Sequence, residues 1–180
     1  MDLNELMLQG QQLQIRIQME HLIKVNEKTS QFGLCLTNVE LVELMQSRFL
    51  VLRELERIEF GEGILPRLLF EFCDTAYITG DRYKETIETL QEIFYEFKNA
   101  SEDKVTDDEL LTFMREQFEG ICYGDTGYLR TLCLERFGDL IKAGYQDYMY
   151  SGGHGLTTHI SQEERWDKDL YDQILKDLIT

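Results

Sequence analysis

Three times this chain carries the signature by which a helix begins: Thr37-Asn38-Val39-Glu40, Thr106-Asp107-Asp108-Glu109 and Ser161-Gln162-Glu163-Glu164, each followed by an apolar run of helical period. A hydroxyl in the first position accepts a backbone N–H of the first turn, and the glutamate three residues on reaches back to the backbone of the hydroxyl residue. The chain has a single proline, so few points force a helix to stop. These features predict an all-α fold: one bundle of about five to seven helices.

Within that fold, Val42, Met45, Phe49 and Leu52 follow the 3.6-residue period. Leu41, Leu44, Val51, Leu55 and Ile58 widen the apolar face of a helix running from Val39 to about Ile58, with Glu54 and Arg57 paired on its far side. Two glycines in Phe60-Gly61-Glu62-Gly63 break it. The segment Ile64 to Ile78 is apolar on nearly every side, which predicts a central helix opening with Pro66 in its first turn. Tyr83, Ile87, Leu90, Phe94 and Phe97 mark the next helix; Leu111, Met114, Phe118 and Ile121 mark another. Leu129, Leu132, Cys133, Phe137, Leu140 and Ile141 mark a further one that Gly144 closes. Near the N-terminus Leu13, Ile15, Ile17 and Met19 alternate as in a strand, but the surrounding glutamines and Leu22 favour a helix. Short polar loops between these segments predict mostly antiparallel neighbours. Residues 1–145 thus read as the bundle domain, 146–160 as a glycine-rich connection, and 161–180 as a C-terminal amphipathic helix packing on the bundle or on a partner.

With 34 acidic and 18 basic residues the net charge is −16, and no two lysines or arginines are adjacent. Phosphate backbones and anionic lipid surfaces are bound by clustered positive charge, so neither nucleic acid nor membrane is an expected partner. The segment Met1-Asp2-Leu3-Asn4-Glu5 has neither the basic nor the apolar region of a leader. Cys35, Cys73, Cys122 and Cys133 lie in or near apolar runs without C-x-x-C spacing, as expected of reduced and mostly buried thiols. Both observations predict a cytoplasmic protein.

Candidate chemistry is sparse. Arg67, Glu71 and Asp74, spaced by four and three, share one face of the predicted central helix and, with Cys73 and Tyr77, make a candidate ligand-binding set. Buried carboxylates need a partner, and an Arg67–Glu71 pair on an exposed edge is the plainer explanation. Carboxylate-bridged metal bundles repeat Glu-x-x-His, which this chain lacks. His154 and His159 flank the glycine-rich stretch and are the weak metal-ligand candidates, with Glu163 or Asp167 as oxygen donors. Phosphate-cradling glycine loops, G-x-S-x-G and H-E-x-x-H are absent, so no specific motif indicates a cofactor or a catalytic residue.

Phe32-Gly33-Leu34, the block Phe60-Gly61-Glu62-Gly63-Ile64-Leu65-Pro66 with Phe72-Cys73-Asp74, and Thr106-Asp107-Asp108-Glu109-Leu110 resemble an uncharacterised family of small bacterial proteins. The resemblance runs from about Phe32 to Tyr145 and implies a bacterial cytoplasmic helical protein; it carries no activity, cofactor or site residue. The expected function is non-catalytic: an acidic helical protein acting through protein contacts, as an adaptor, a regulator or a homodimer. The alternative is an enzyme or a ligand- or metal-binding protein with a polar site inside the bundle near Glu71 and Asp74.

Overall fold

Thr37 and Thr106 cap their helices as the sequence predicts. Each hydroxyl accepts the amide of the glutamate three residues on (3.3 Å in both), and each glutamate carboxylate accepts the threonine amide, at 2.8 and 3.0 Å. The computed structural model describes residues 2–133 together with Phe137, Gly138 and Ile141. The predicted connection at 146–160, the helix from 161 with its capping box, Gly144, His154 and His159 lie outside the described residues.

Among the described residues all regular structure is helical: α1 (Leu3–Thr29), α2 (Asn38–Glu54), α3 (Leu65–Glu71), α4 (Tyr83–Ala100), α5 (Asp107–Glu119) and the single turn α6 (Thr126–Tyr128), which continues into π-helical turns over Leu129–Cys133. No helix among them is long and apolar enough to cross a membrane. The N-terminal segment is helical, as chosen over the strand pattern. On α4 all five predicted stripe residues, Tyr83, Ile87, Leu90, Phe94 and Phe97, are buried.

The central helix is shorter than predicted. α3 ends at Glu71 after two turns, and Asp74 and Tyr77 lie beyond it in turns. It is nevertheless central, packing against α1, α4 and α5. Its C-terminal carbonyls are not left for a further turn, because the Arg115 guanidinium of α5 donates to the Glu71 carbonyl. A long-range donor has replaced helix propagation.

Neighbour directions also differ from the prediction. Lys84 at the start of α4 pairs with Glu43 early in α2 (3.1 Å), while Asn99 near the end of α4 donates to the Leu55 carbonyl just after α2 (3.2 Å), so α2 and α4 run parallel. Likewise Arg67 meets Asp108, and Glu71 and Asp74 meet Arg115, so α3 and α5 run parallel. α1 and α2 do form an antiparallel hairpin, as expected. It is closed by Asn26, whose amide nitrogen donates to the Leu36 carbonyl (2.8 Å) and whose amide oxygen accepts the Leu36 N–H (2.9 Å).

The buried face of α2 is rotated from the predicted stripe. Leu41, Leu44, Met45, Arg48, Val51 and Leu52 point inward, whereas Val42, Phe49 and Ile58 are exposed. Arg57 lies past the helix and binds Asp103 (2.7 Å) and Asn99 rather than Glu54 alongside it. Ile121 is exposed, as is Cys35, while Cys73 and Cys122 are buried.

Gln91 on α4 is fully buried, and neither its amide oxygen nor its nitrogen has a hydrogen-bond partner. Burying an amide without partners costs about 1–3 kcal/mol. Gln91→Met, close in shape and free of that cost, is therefore expected to stabilise the protein by about 1–2 kcal/mol in urea unfolding. A loss of stability would show that the amide has partners in solution.

Candidate functional site

Of the five candidate residues, Arg67 and Glu71 lie on α3 and Cys73, Asp74 and Tyr77 in the turns that follow it. Arg67 forms an ion pair with Asp108 in the first turn of α5. Glu71 is half-buried, while Asp74 and Tyr77 are exposed, Tyr77 with its ring edge-on to Phe118 at 6.3 Å. Cys73 is buried, its thiol donating to the Phe70 carbonyl at 3.0 Å.

Arg115 organises this region, and sequence reasoning missed it. It is 4% exposed, and its guanidinium serves the Glu71 carbonyl, Asp74 Oδ1 (2.9 Å) and Glu119 Oε1 (2.5 Å) while lying over the Phe72 ring at 5.5 Å. Charged side chains here tie α3 to α5. Among the described residues no group of three His, Cys, Asp or Glu side chains is placed to hold a metal ion.

Burial first, then the Asp74 carboxylate, pushes the Cys73 thiol up to about 12, away from the thiolate a nucleophile needs. Burial also raises Tyr83, and burial with the Glu59 carboxylate raises Tyr95. Groups held protonated in the fold contribute stability that is complete below their unfolded values, about 8.5 for Cys and about 10 for Tyr, and is lost as pH rises toward the folded values. The thermal midpoint is therefore expected to fall steadily between about pH 9 and pH 11. A flat profile over that range would contradict the burial of all three groups.

A second constellation lies where α1 meets the turn between α2 and α3. Arg48, 2% exposed, donates from Nε to Glu59 Oε2 at 2.7 Å and from Nη1 to Gln18 Oε1 at 3.0 Å. Burial works against a charged guanidinium, but the Glu59 carboxylate outweighs it and holds Arg48 above its ordinary value. Glu59 also accepts the Tyr95 hydroxyl and, at 2.5 Å, the Ile64 amide at the start of α3. Gln18 completes the set by donating to the Gly61 carbonyl at 2.8 Å. Gly63 sits at φ +74°, and a Cβ there would stand 2.8 Å from Arg48 Nη2 and 2.9 Å from the Glu59 carboxyl, so glycine is needed for both backbone and space.

This buried set fixes the Gly61-Glu62 turn against α1 and so builds one wall of a groove of about 390 Å³, lined by Gly10, Leu13, Gln14, Ile17, Gln18, His21, Gly61 and Glu62. At its closed end His21 Nδ1 lies 2.9 Å from Glu62 Oε1, an ion-pair separation without hydrogen-bond alignment. Beyond the groove α1 continues outward. Among the described side chains of α1 the first buried one is Gln18, and Leu3, Leu6, Leu13 and Ile17 are 70, 56, 59 and 50% exposed. Leu8 and Ile15 are exposed on the opposite flank.

Residues 21–147 match the family model DUF6323, described as a family of unknown function. The outward part of α1 precedes the matched stretch. No curated protein and no solved structure matches the chain.

Proposed function

The chain belongs to that family of unknown function, and we propose that it acts without catalysis, through protein contacts made by the outward half of α1. The observation that carries this reading is the exposed apolar stripe Leu3, Leu6, Leu13, Ile17 on a helix whose inner half is anchored in the core. At 100° per residue these four side chains centre roughly a third of a turn away from the direction of Leu22, Val25 and Thr29. The described part of the bundle leaves them uncovered. Together they expose on the order of 400 Å² of apolar surface, the size at which a patch marks an interaction site.

The charged clusters support the same reading. Arg67 and Arg115 are engaged with carboxylates of the same fold, Arg67 with Asp108 and Arg115 with Asp74 and Glu119, and Arg115 also holds the Glu71 backbone carbonyl. The acidic surface keeps such a protein soluble while its apolar stripe stays available. Cys35 and Cys73, neither in a disulfide, speak for a reducing, cytoplasmic setting.

The test is the double variant Leu6→Glu/Leu13→Glu. Both side chains are outside the core, so the thermal midpoint is expected to stay within about 2 °C of wild type. Self-association in sedimentation and partner recovery from extracts of the source cells are expected to fall. If wild type and variant give the same assemblies and the same recovered proteins, the reading is wrong.

A further inference from the structure

We infer that the partner of this stripe is a second copy of the same chain, paired antiparallel along α1, with Leu3 and Leu6 of each copy seated in the groove of the other. The inference rests on the reading above and names its partner.

The spacing along α1 is the first ground. Leu3, Leu6, Gly10, Leu13 and Ile17 are separated by three, four, three and four residues, the seam of a two-helix coil. Gly10 is the second. A glycine inside a helix costs about 1 kcal/mol relative to alanine, and a Cβ at Gly10 would meet nothing within 4 Å, so nothing in the described fold requires it. Its place in the middle of the seam gives a reason: in an antiparallel register Gly10 faces Leu13 of the other copy, and the missing side chain admits that leucine.

The groove is the third ground, and it sets the direction. The same register brings Leu6 of one copy to Ile17 of the other and carries Leu3 to Glu20, next to His21 and the Gly61-Glu62 turn that line the groove. A parallel partner would have to continue past residue 21, where each copy's own turn stands in the way. Charge favours the same choice, because each copy carries −16, and antiparallel pairing holds the two bundles at opposite ends of the contact.

The full chain with Cys35→Ser provides the test. A Leu6→Cys protein is mixed with an Ile17→Cys protein and oxidised gently, and stoichiometry is measured by sedimentation without the added cysteines. The expected result is a dimer that Leu6→Glu/Leu13→Glu weakens at least tenfold, with a cross-link between positions 6 and 17 and little between 6 and 6 or 17 and 17. A dimer that cross-links 6 to 6 or 17 to 17 overturns the inference and leaves α1 as the contact surface. A monomer at tens of micromolar also overturns it, whether the occupant is residues 161–180 of the same chain or a different protein. The broader reading then falls as well only if the double glutamate variant recovers the same proteins as wild type.

Discussion

Arg48→Met is expected to lower the stability of the protein by about 3–5 kcal/mol, the range for breaking one side of a buried ion pair. The loss is large because the partners stay behind. Glu59, 14% exposed at its side chain, would keep the Tyr95 hydroxyl and the Ile64 amide but lose its counter-charge, and the Gln18 amide oxygen would lose its donor. Arg48→Lys should recover only part of this, since one ammonium cannot reproduce the fork that reaches Gln18 and Glu59 together. Pairing Arg48→Met with Glu59→Gln should cost less than the sum of the two single changes, because no charge is then left buried alone. Urea unfolding of the four proteins measures that coupling. A loss below about 1 kcal/mol for Arg48→Met would mean that water reaches the pair.

Arg115→Met is expected to cost a similar amount, about 3–5 kcal/mol, for a different reason. Here the guanidinium joins the end of α3 to the end of α5. Removing it leaves the half-buried Glu71 carbonyl without this donor and the Glu119 carboxylate, 14% exposed, without this counter-charge. Asp74 should behave otherwise, since its side chain is 52% exposed. Asp74→Asn is expected to cost less than about 1 kcal/mol, as for other solvent-exposed pairs. Thermal unfolding of the two variants side by side decides whether Arg115 or Asp74 is the organising residue of this corner.

Local signals in the sequence were reliable where local physics decides the outcome. The capping boxes at Thr37 and Thr106, the turn at Gly61 and Gly63, and the whole buried stripe of α4 are all set by residues within four positions of one another. Two of the failures share a cause, which is an arginine drawn inward by distant partners. Pattern reading puts charge outside, so Arg48 turned the expected face of α2 the wrong way; its partners lie 11 residues ahead and 30 behind. Arg115 is 44 residues from the carbonyl it binds, so nothing near Glu71 announces that α3 stops there. Arg67, Glu71 and Asp74 were legible as a charged cluster, but not Arg115 as its centre. The apolar residues of the outward half of α1 were noticed only as an alternating pattern, because helix and strand periods overlap over so short a run.

The division of α1 at Gln18 has an evolutionary consequence. Inward of that residue, a substitution is tested against the packing of the whole bundle. Outward of it, substitutions at Leu3, Leu6 or Leu13 come at almost no cost to folding, and under the proposed function they change what the protein associates with. Partner choice can therefore drift while the bundle stays fixed, and proteins sharing this core need not share an assembly state.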